Sequence, residues 1–88
     1  MSDPGSKVNF GAAAGLRKCP SLANQRREDR NTYTVFEGTL DQCITAFMDR
    51  PETTRHLYEI HTPPQPPLVT DILSSEHIIE LSRLREFL

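Results

Sequence analysis

The sequence predicts an all-α protein with three to four short helices separated by prolines, behind a disordered N-terminal leader. Apolar residues recur at helical spacing in residues 40–48 and 78–88, which is the pattern of helices with one buried face. Four of the seven prolines fall within residues 63–67, and proline interrupts helices. With 88 residues, the chain is long enough for one small domain.

The predicted leader comprises residues 1–32 and is basic. It carries six Lys or Arg and three Asp or Glu, whereas residues 33–88 carry four and nine, so that +3 and −5 give the net charge of −2. The leader mixes Gly, Ser, Ala and Asn without periodicity, and it therefore buries too little apolar area to offset the entropy of ordering. We predict a disordered leader over residues 1–32 and a small helical region over residues 33–88.

Composition argues against several classes of function. The acidic region 33–88 lacks the clustered cations that a nucleic-acid surface needs. No apolar run approaches the about 18 residues needed to span a membrane, and the N-terminus lacks a secretory signal pattern. Cys19 and Cys43 are too few for a disulfide framework. We therefore expect two thiols in a reducing, cytoplasmic or nuclear compartment.

The first helix has the clearest local signals. Thr39 and Gln42 form a capping box, in which each side chain accepts from the backbone N–H of the other residue. An apolar stripe follows at Leu40, Cys43, Ile44, Phe47 and Met48. Pro51 ends the helix because it disfavours helical geometry at Arg50. Residues 33–36 before the helix are β-prone, but no clear partner strand exists, so we expect extended chain there.

A second helix is predicted from Pro51, which suits the first helical position and precedes an acidic Glu52 in the first turn. Leu57, Tyr58 and Ile60 would supply its apolar contacts. A strand over residues 57–61, beside residues 33–36, is the alternative and stays open. The helix is favoured because the alternation of apolar and polar residues is poor.

Two further helices are predicted after the prolines. Pro66 or Pro67 opens a helix of about two turns, in which the apolar residues of 68–73 share one side. Ser74 or Ser75 then caps the last helix, with Glu76 in its first turn. The chain ends on Phe87 and Leu88 within an apolar stripe. We therefore expect either an N-terminal fragment or a partner that covers this end.

The order of these elements resembles one armadillo-type helical repeat over residues 51–88. The quoted features are the Pro-Glu-Thr opening at residue 51, the proline-led short helix of residues 66–73, the Ser-Ser break and the longer third helix. Residues 39–49 would resemble the last helix of a preceding unit. The resemblance implies a superhelical protein-binding scaffold. It gives no groove residues, because the third helix lacks the usual alanines and asparagine.

Motifs for chemistry are weak. Cys43, His56 and His61 match part of a Cys2His2 zinc-finger spacing, but the first cysteine is missing and Pro51 interrupts the segment. We therefore expect neither a metal nor a cofactor. The scattered histidines assemble no catalytic group, and the four glycines form no phosphate loop. We expect no small-molecule substrate and predict that the chain is not an enzyme.

The predicted function is protein–protein interaction, as an N-terminal piece of a helical-repeat scaffold or as a small subunit of a complex. Partner proteins would cover the apolar helical faces, with no role for nucleic acid or membrane. The alternative is a flexible adaptor that presents the proline-rich segment 63–68 and the amphipathic docking helix 75–88 as linear motifs. The predicted partner-binding residues are Phe47, Met48, Ile78, Leu81, Leu84, Phe87 and Leu88.

Overall fold

The computed structural model has a mixed α/β fold with a four-stranded antiparallel sheet. It describes residues 8–22, 25–26, 31–66 and 68–87. The strands are β1 (Ala13–Lys18), β2 (Ser21–Leu22), β3 (Gln25–Arg26), β4 (Tyr33–Thr39), β5 (Tyr58–His61) and β6 (Ile72–Leu73). The helices are α1 (Leu40–Met48), a 3-10 helix (Glu52–Leu57) and α2 (Ser75–Phe87).

The strand order in the main sheet is β4-β1-β5-β6, and β2 and β3 form a separate two-stranded ribbon. Leu16 pairs with Phe36 on one side and with Ile60 on the other, and Ile60 pairs with Leu73. Directly paired residues share one face of a sheet. Leu16, Ile60 and Leu73 are buried in one core together with Phe47 of α1 and Ile78 of α2. Both helices therefore cover the same face of the sheet.

The predictions of an all-α fold and of an armadillo-type repeat over residues 51–88 are wrong, because this antiparallel sheet is the centre of the structure. Residues 58–61 form a strand in which Tyr58 and Ile60 are buried while Glu59 and His61 are half-buried. Only the segment Glu52–Leu57 is helical, as a 3-10 helix. The strand alternative is the correct one, but its partner is β1 and not residues 33–36.

The prediction of a disordered leader is wrong for residues 13–18, which form the strand β1 between β4 and β5. Among the leader's residues, 1–7, 23–24 and 27–30 lie outside the described part of the chain. Leu16 is fully buried, although Ala and Gly precede it and Arg and Lys follow it in the sequence. Its side chain belongs to one apolar core with residues of β5, β6 and α1, which are distant along the chain.

The prediction for the first helix is confirmed. Thr39 is the N-cap of α1, and its Oγ1 accepts from the Gln42 N–H at 3.1 Å while the Thr39 N–H donates to Gln42 Oε1 at 3.0 Å. The stripe is buried at Leu40, Cys43, Ile44 and Phe47. At the other end of the chain, α2 begins at Ser75, and Ser74 Oγ accepts from the His77 N–H at 3.4 Å.

The proline run does not open a helix, so the predicted helix over residues 66–73 is wrong. Thr62 is buried, its Oγ1 donates to Ala13 O at 2.9 Å, and its N–H donates to Asp71 O at 3.0 Å. Gln65 forms an isolated bridge with Val69, and Ile72–Leu73 is the strand β6. These residues form a compact loop that joins β5 to β6. Pro67 lies outside the described residues.

We predict that Leu16→Ala lowers the free energy of unfolding by about 2–5 kcal/mol, because it removes a fully buried side chain from the core. The half-exposed Ile72 provides the control, and Ile72→Ala should cost less than about 1.5 kcal/mol. Urea unfolding followed by circular dichroism measures both. Equal stability of Leu16→Ala and the wild type would mean that residues 13–18 do not belong to the folded core.

We also predict that Thr39→Ala lowers the free energy of unfolding by about 1 kcal/mol, because the Gln42 N–H loses its acceptor at the start of α1. Thr39→Ser keeps the hydroxyl and should retain most of the stability. Thermal unfolding of the two variants side by side distinguishes this cap effect from the loss of the threonine methyl group. Equal destabilisation by both changes would contradict a role for the hydroxyl.

Candidate functional site

The outer edge of β4 is the longer of the two edges of the main sheet. β4 stands at one end of the strand order, and no described strand pairs with its outer side. Its residues 33–37 are all exposed. An edge strand offers unpaired N–H and C=O groups to another chain. β4 has seven residues and the other edge strand, β6, has two, so β4 presents the longer edge.

Hydrogen bonds at the end of β4 show which peptide groups point outward. The Leu40 N–H donates to Ala12 O at 2.7 Å, next to β1, whereas the Thr39 N–H points away from β1 and donates to Gln42 Oε1 at 3.0 Å. Peptide groups alternate in direction along a strand. The N–H and C=O of Glu37 therefore lie on the outer edge, while those of Gly38 and Phe36 face β1.

Exposed apolar side chains concentrate on this strand. Among the described residues, five large apolar or aromatic side chains are exposed, and three of them lie on β4: Tyr33 (48%), Val35 (36%) and Phe36 (37%). Edge strands of monomeric proteins commonly carry lysine or proline, which discourage pairing. β4 has the sequence YTVFEGT, without either residue. Two features that discourage pairing are present, namely a β-bulge opposite Leu16 and Arg17 and the charge of the exposed Glu37.

A shallow groove of about 300 Å³ runs between β4 and the exposed side of α1. Its lining residues are Phe36 from β4 and Asp41, Gln42, Thr45, Ala46 and Asp49 from α1 and its C-cap. Arg85 of α2 closes part of this region, because its Nη1 donates to Asp41 Oδ1 at 2.8 Å and to Thr45 Oγ1 at 3.0 Å. The groove lies beside the strand edge, where a side chain of an added strand would enter.

The start of β4 is held in place by Arg17 of β1. The Arg17 Nε donates to Thr32 Oγ1 at 2.8 Å, and Nη1 donates to Thr34 Oγ1 at 2.9 Å. Its Nη2 donates to the Thr32 carbonyl oxygen at 2.5 Å. These three bonds fix Thr34 of β4 and the preceding Thr32 against β1, so the edge is presented as a preformed, extended segment.

A second groove, of about 370 Å³, lies on the sheet face that the helices leave open. Gly15 forms its floor, because Gly15 pairs with both Glu37 and His61 and carries no side chain. His61 Nε2 is hydrogen-bonded to Glu59 Oε2. The described residues that line this groove include no Ser, Thr, Cys or Lys, so the pair has no adjacent nucleophile to activate.

A third groove, of about 570 Å³, lies between the 3-10 helix and α2. Its Arg55 donates to Met48 O at 2.7 Å and to Arg50 O at 3.1 Å, and it approaches Glu52 at 3.7 Å. Arg55 therefore serves to close the C-terminal end of α1. These contacts give the Arg55 side chain a structural role in the fold.

The predicted partner-binding residues occupy different environments. Phe47, Ile78 and Leu81 are buried in the core, and Met48 and Leu84 are half-buried against it. Phe87 is 88% exposed near the end of α2, and Leu88 lies outside the described residues. The core therefore accounts for the helical spacing of the first five. A partner-binding role for any of the seven stays a prediction.

The motif residues are also dispersed. No group of three His, Cys, Asp or Glu side chains in the described part of the chain is placed to hold a metal ion. Cys19 and Cys43 are both buried and are not joined by a disulfide. No helix within the described ranges is long and apolar enough to cross a membrane. The sequence indicates that residues 33–36 are β-prone but does not show that they form an edge strand, because their partner β1 lies in an Ala- and Gly-rich stretch.

Comparison of the chain with protein-family models, with curated proteins and with solved structures finds no match. The resemblance to an armadillo-type repeat has no support from these comparisons and conflicts with the sheet. Function must therefore be inferred from the geometry of the chain itself.

Cys43 lies beneath the inner side of β4 and yields a prediction about pH. Burial raises the pKa of its thiol, and hydrogen bonds with the Leu16 and Gly38 backbones act in the opposite direction. A raised pKa in the folded state means that the neutral thiol stabilises the fold below the unfolded pKa of about 8.5. That stabilisation is lost as the pH rises through the folded pKa.

We therefore expect the stability difference between the wild type and Cys43→Ala to shrink between pH about 7 and about 9.5. Urea unfolding of both proteins at the two pH values measures this change. Cys19 is present in both proteins and is therefore a constant in the comparison. A constant or growing difference would contradict the burial of the neutral thiol.

Proposed function

We propose that this chain is a non-catalytic protein-binding module that accepts an extended segment of a partner protein as a fifth strand beside β4. The observation that carries the proposal is the unpaired outer edge of β4 together with three exposed apolar side chains on that strand. In this mode of recognition, main-chain hydrogen bonds supply affinity and neighbouring pockets supply specificity.

The edge of β4 offers both a main-chain bonding position and a neighbouring groove. The outward N–H and C=O of Glu37 form a bonding position in the middle of the exposed edge, and each net hydrogen bond is worth about 0.5–1.5 kcal/mol. The groove between Phe36 and α1 lies on the helical side of the same edge. Alternate side chains of an added strand point to this side, so the groove would select among partner sequences.

The geometry also favours binding over catalysis. His61, which is hydrogen-bonded to Glu59, lines an open groove whose described lining residues offer no nucleophile. Acid–base catalysis gains from a site that excludes water, whereas this groove lies on the face that the helices leave uncovered. The hydrogen bond between Glu59 and His61 joins two side chains of the strand β5, which is a structural role.

The alternative hypothesis of linear motifs in residues 63–68 and 75–88 has less support. The Gln65 side chain donates to Asn9 O at 3.0 Å and accepts from the Asn9 N–H at 2.6 Å, which ties the proline-rich segment to the chain preceding β1. Leu84 of α2 packs against the core. Both segments would have to leave their present contacts before a partner could read them as extended or isolated peptides.

We predict that phage-displayed random ten-residue peptides selected on the wild-type chain lose most of their binding to Glu37→Pro. Proline removes the outward N–H of residue 37, while the bonds of Phe36 and Gly38 to β1 are kept. The matched control is Glu37→Ala, which also removes the carboxylate but retains the N–H. Biolayer interferometry of the selected peptides against the three proteins measures the effect.

The proposal requires Glu37→Pro to weaken binding at least tenfold relative to Glu37→Ala. Circular dichroism verifies that both variants fold. If Glu37→Pro unfolds the chain, amide chemical-shift mapping on the wild type replaces it, and the selected peptides should perturb residues 33–39 more than β6. Equal binding by both folded variants, or perturbations confined to other elements, would rule out strand addition at β4.

A further inference from the structure

We infer that the segment accepted at β4 is basic, with lysine or arginine at neighbouring positions between β-branched or aromatic residues. This inference deepens the proposed function and rests on it. It concerns the charge of the partner, which the side chains around the strand edge determine. Two acidic positions, one on each face of the sheet, carry it.

The helical side of the edge is acidic. The described residues that line the groove between β4 and α1 include Asp41 and Asp49 and no Lys or Arg. Arg85 pairs with Asp41 at 2.8 Å, so Asp49 supplies the excess negative charge on this side. Asp49 is exposed. A cationic side chain that passes Phe36 would place its aliphatic stem on the ring and its charged end near Asp49.

The opposite face of the sheet also carries a carboxylate beside the edge, and Arg17 lies on that face too, with its guanidinium bonded near the start of β4. Glu37 pairs with Gly15 and therefore lies on the open face, away from the helices. Glu37 is exposed and sits where the edge peptide groups point outward. Successive side chains of an added strand alternate between the two faces. A strand with cations at two neighbouring positions would therefore meet Asp49 on one face and Glu37 on the other.

Charge also argues against a second copy of this chain as the occupant. A two-fold pairing of β4 with its copy would leave both α1 helices on the same face of the joined sheet. Their groove sides would then face each other, and Asp41 and Asp49 would approach the same carboxylates of the copy. Like charges placed opposite each other are destabilising. An edge of seven residues also contributes little area for a stable dimer.

The test uses two synthetic peptides of ten residues with a fluorescent label. One repeats two lysines followed by two valines, so that each face of the extended peptide carries lysine, and the other has glutamate in place of each lysine. Fluorescence anisotropy with the full chain measures affinity at low and at high salt. We expect the basic peptide to bind at least about tenfold more tightly than the acidic one, and its affinity to fall as salt rises, since exposed charges are screened.

Charge-removing variants locate the effect. Asp49→Asn should weaken the basic peptide about twofold to fivefold, as expected for one exposed ion pair. Glu80→Gln is the matched control, because it removes the same charge from an exposed position on α2 outside the groove. The control should leave the affinity unchanged. Equal effects of the two variants would mean that only the net charge of the chain matters, and the inference would fail.

The outcomes separate this inference from the function on which it rests. If both peptides bind equally and both lose affinity with Glu37→Pro, strand addition stands and the basic partner is wrong. If the basic peptide binds but Glu37→Pro leaves its affinity unchanged, binding lies elsewhere and both proposals fail. Absence of binding by either peptide contradicts both. A dimer in sedimentation that Glu37→Pro converts to monomer would identify a second copy as the occupant and overturn the basic partner.

Discussion

The burial of Leu16 in the central strand holds the two layers of this protein together. Leu16 is fully buried, and it lies in one row with Phe36, Ile60 and Leu73 across the four strands. The helices pack against this row from one side. A shift of β1 by one residue would place Arg17 in the core and Leu16 on the open face. The positions of β4 and β5 depend on the register of β1, because both strands pair with it.

The central place of β1 also creates the candidate binding site. With β5 on one side of β1 and β4 on the other, β4 becomes an edge strand whose inner peptide groups are paired and whose outer groups are not. The chain then turns directly into α1 at Thr39, which brings the acidic side of that helix next to the same edge. The outward peptide groups of β4, the ring of Phe36 and the carboxylates of α1 and its C-cap therefore lie beside the same strand edge. No single local sequence motif encodes this combination.

Local signals in the sequence predicted the elements that local interactions determine. The capping box at Thr39 and the stripe of α1 were visible because they involve residues three or four positions apart. The strand β1 was not, since its six residues include only one large apolar side chain and its partners lie far along the chain. For the same reason the sequence indicates that residues 33–36 are β-prone but shows neither their partner strand nor their exposed edge. The apolar residues expected at an interface, such as Phe47 and Ile78, are needed by the core that β1 completes.

Hydrogen exchange of individual backbone amides tests the central claim most directly, because a central strand and a free edge differ in how their N–H groups are protected. Because β1 is paired on both sides, the amides of Leu16 and its neighbours in β1 should exchange as slowly as the amides of the buried residues of α1. The outward amide of Glu37 should exchange within the dead time of the experiment. Fast exchange throughout residues 13–18 would contradict the sheet, and slow exchange at Glu37 would show that the edge of β4 is already occupied.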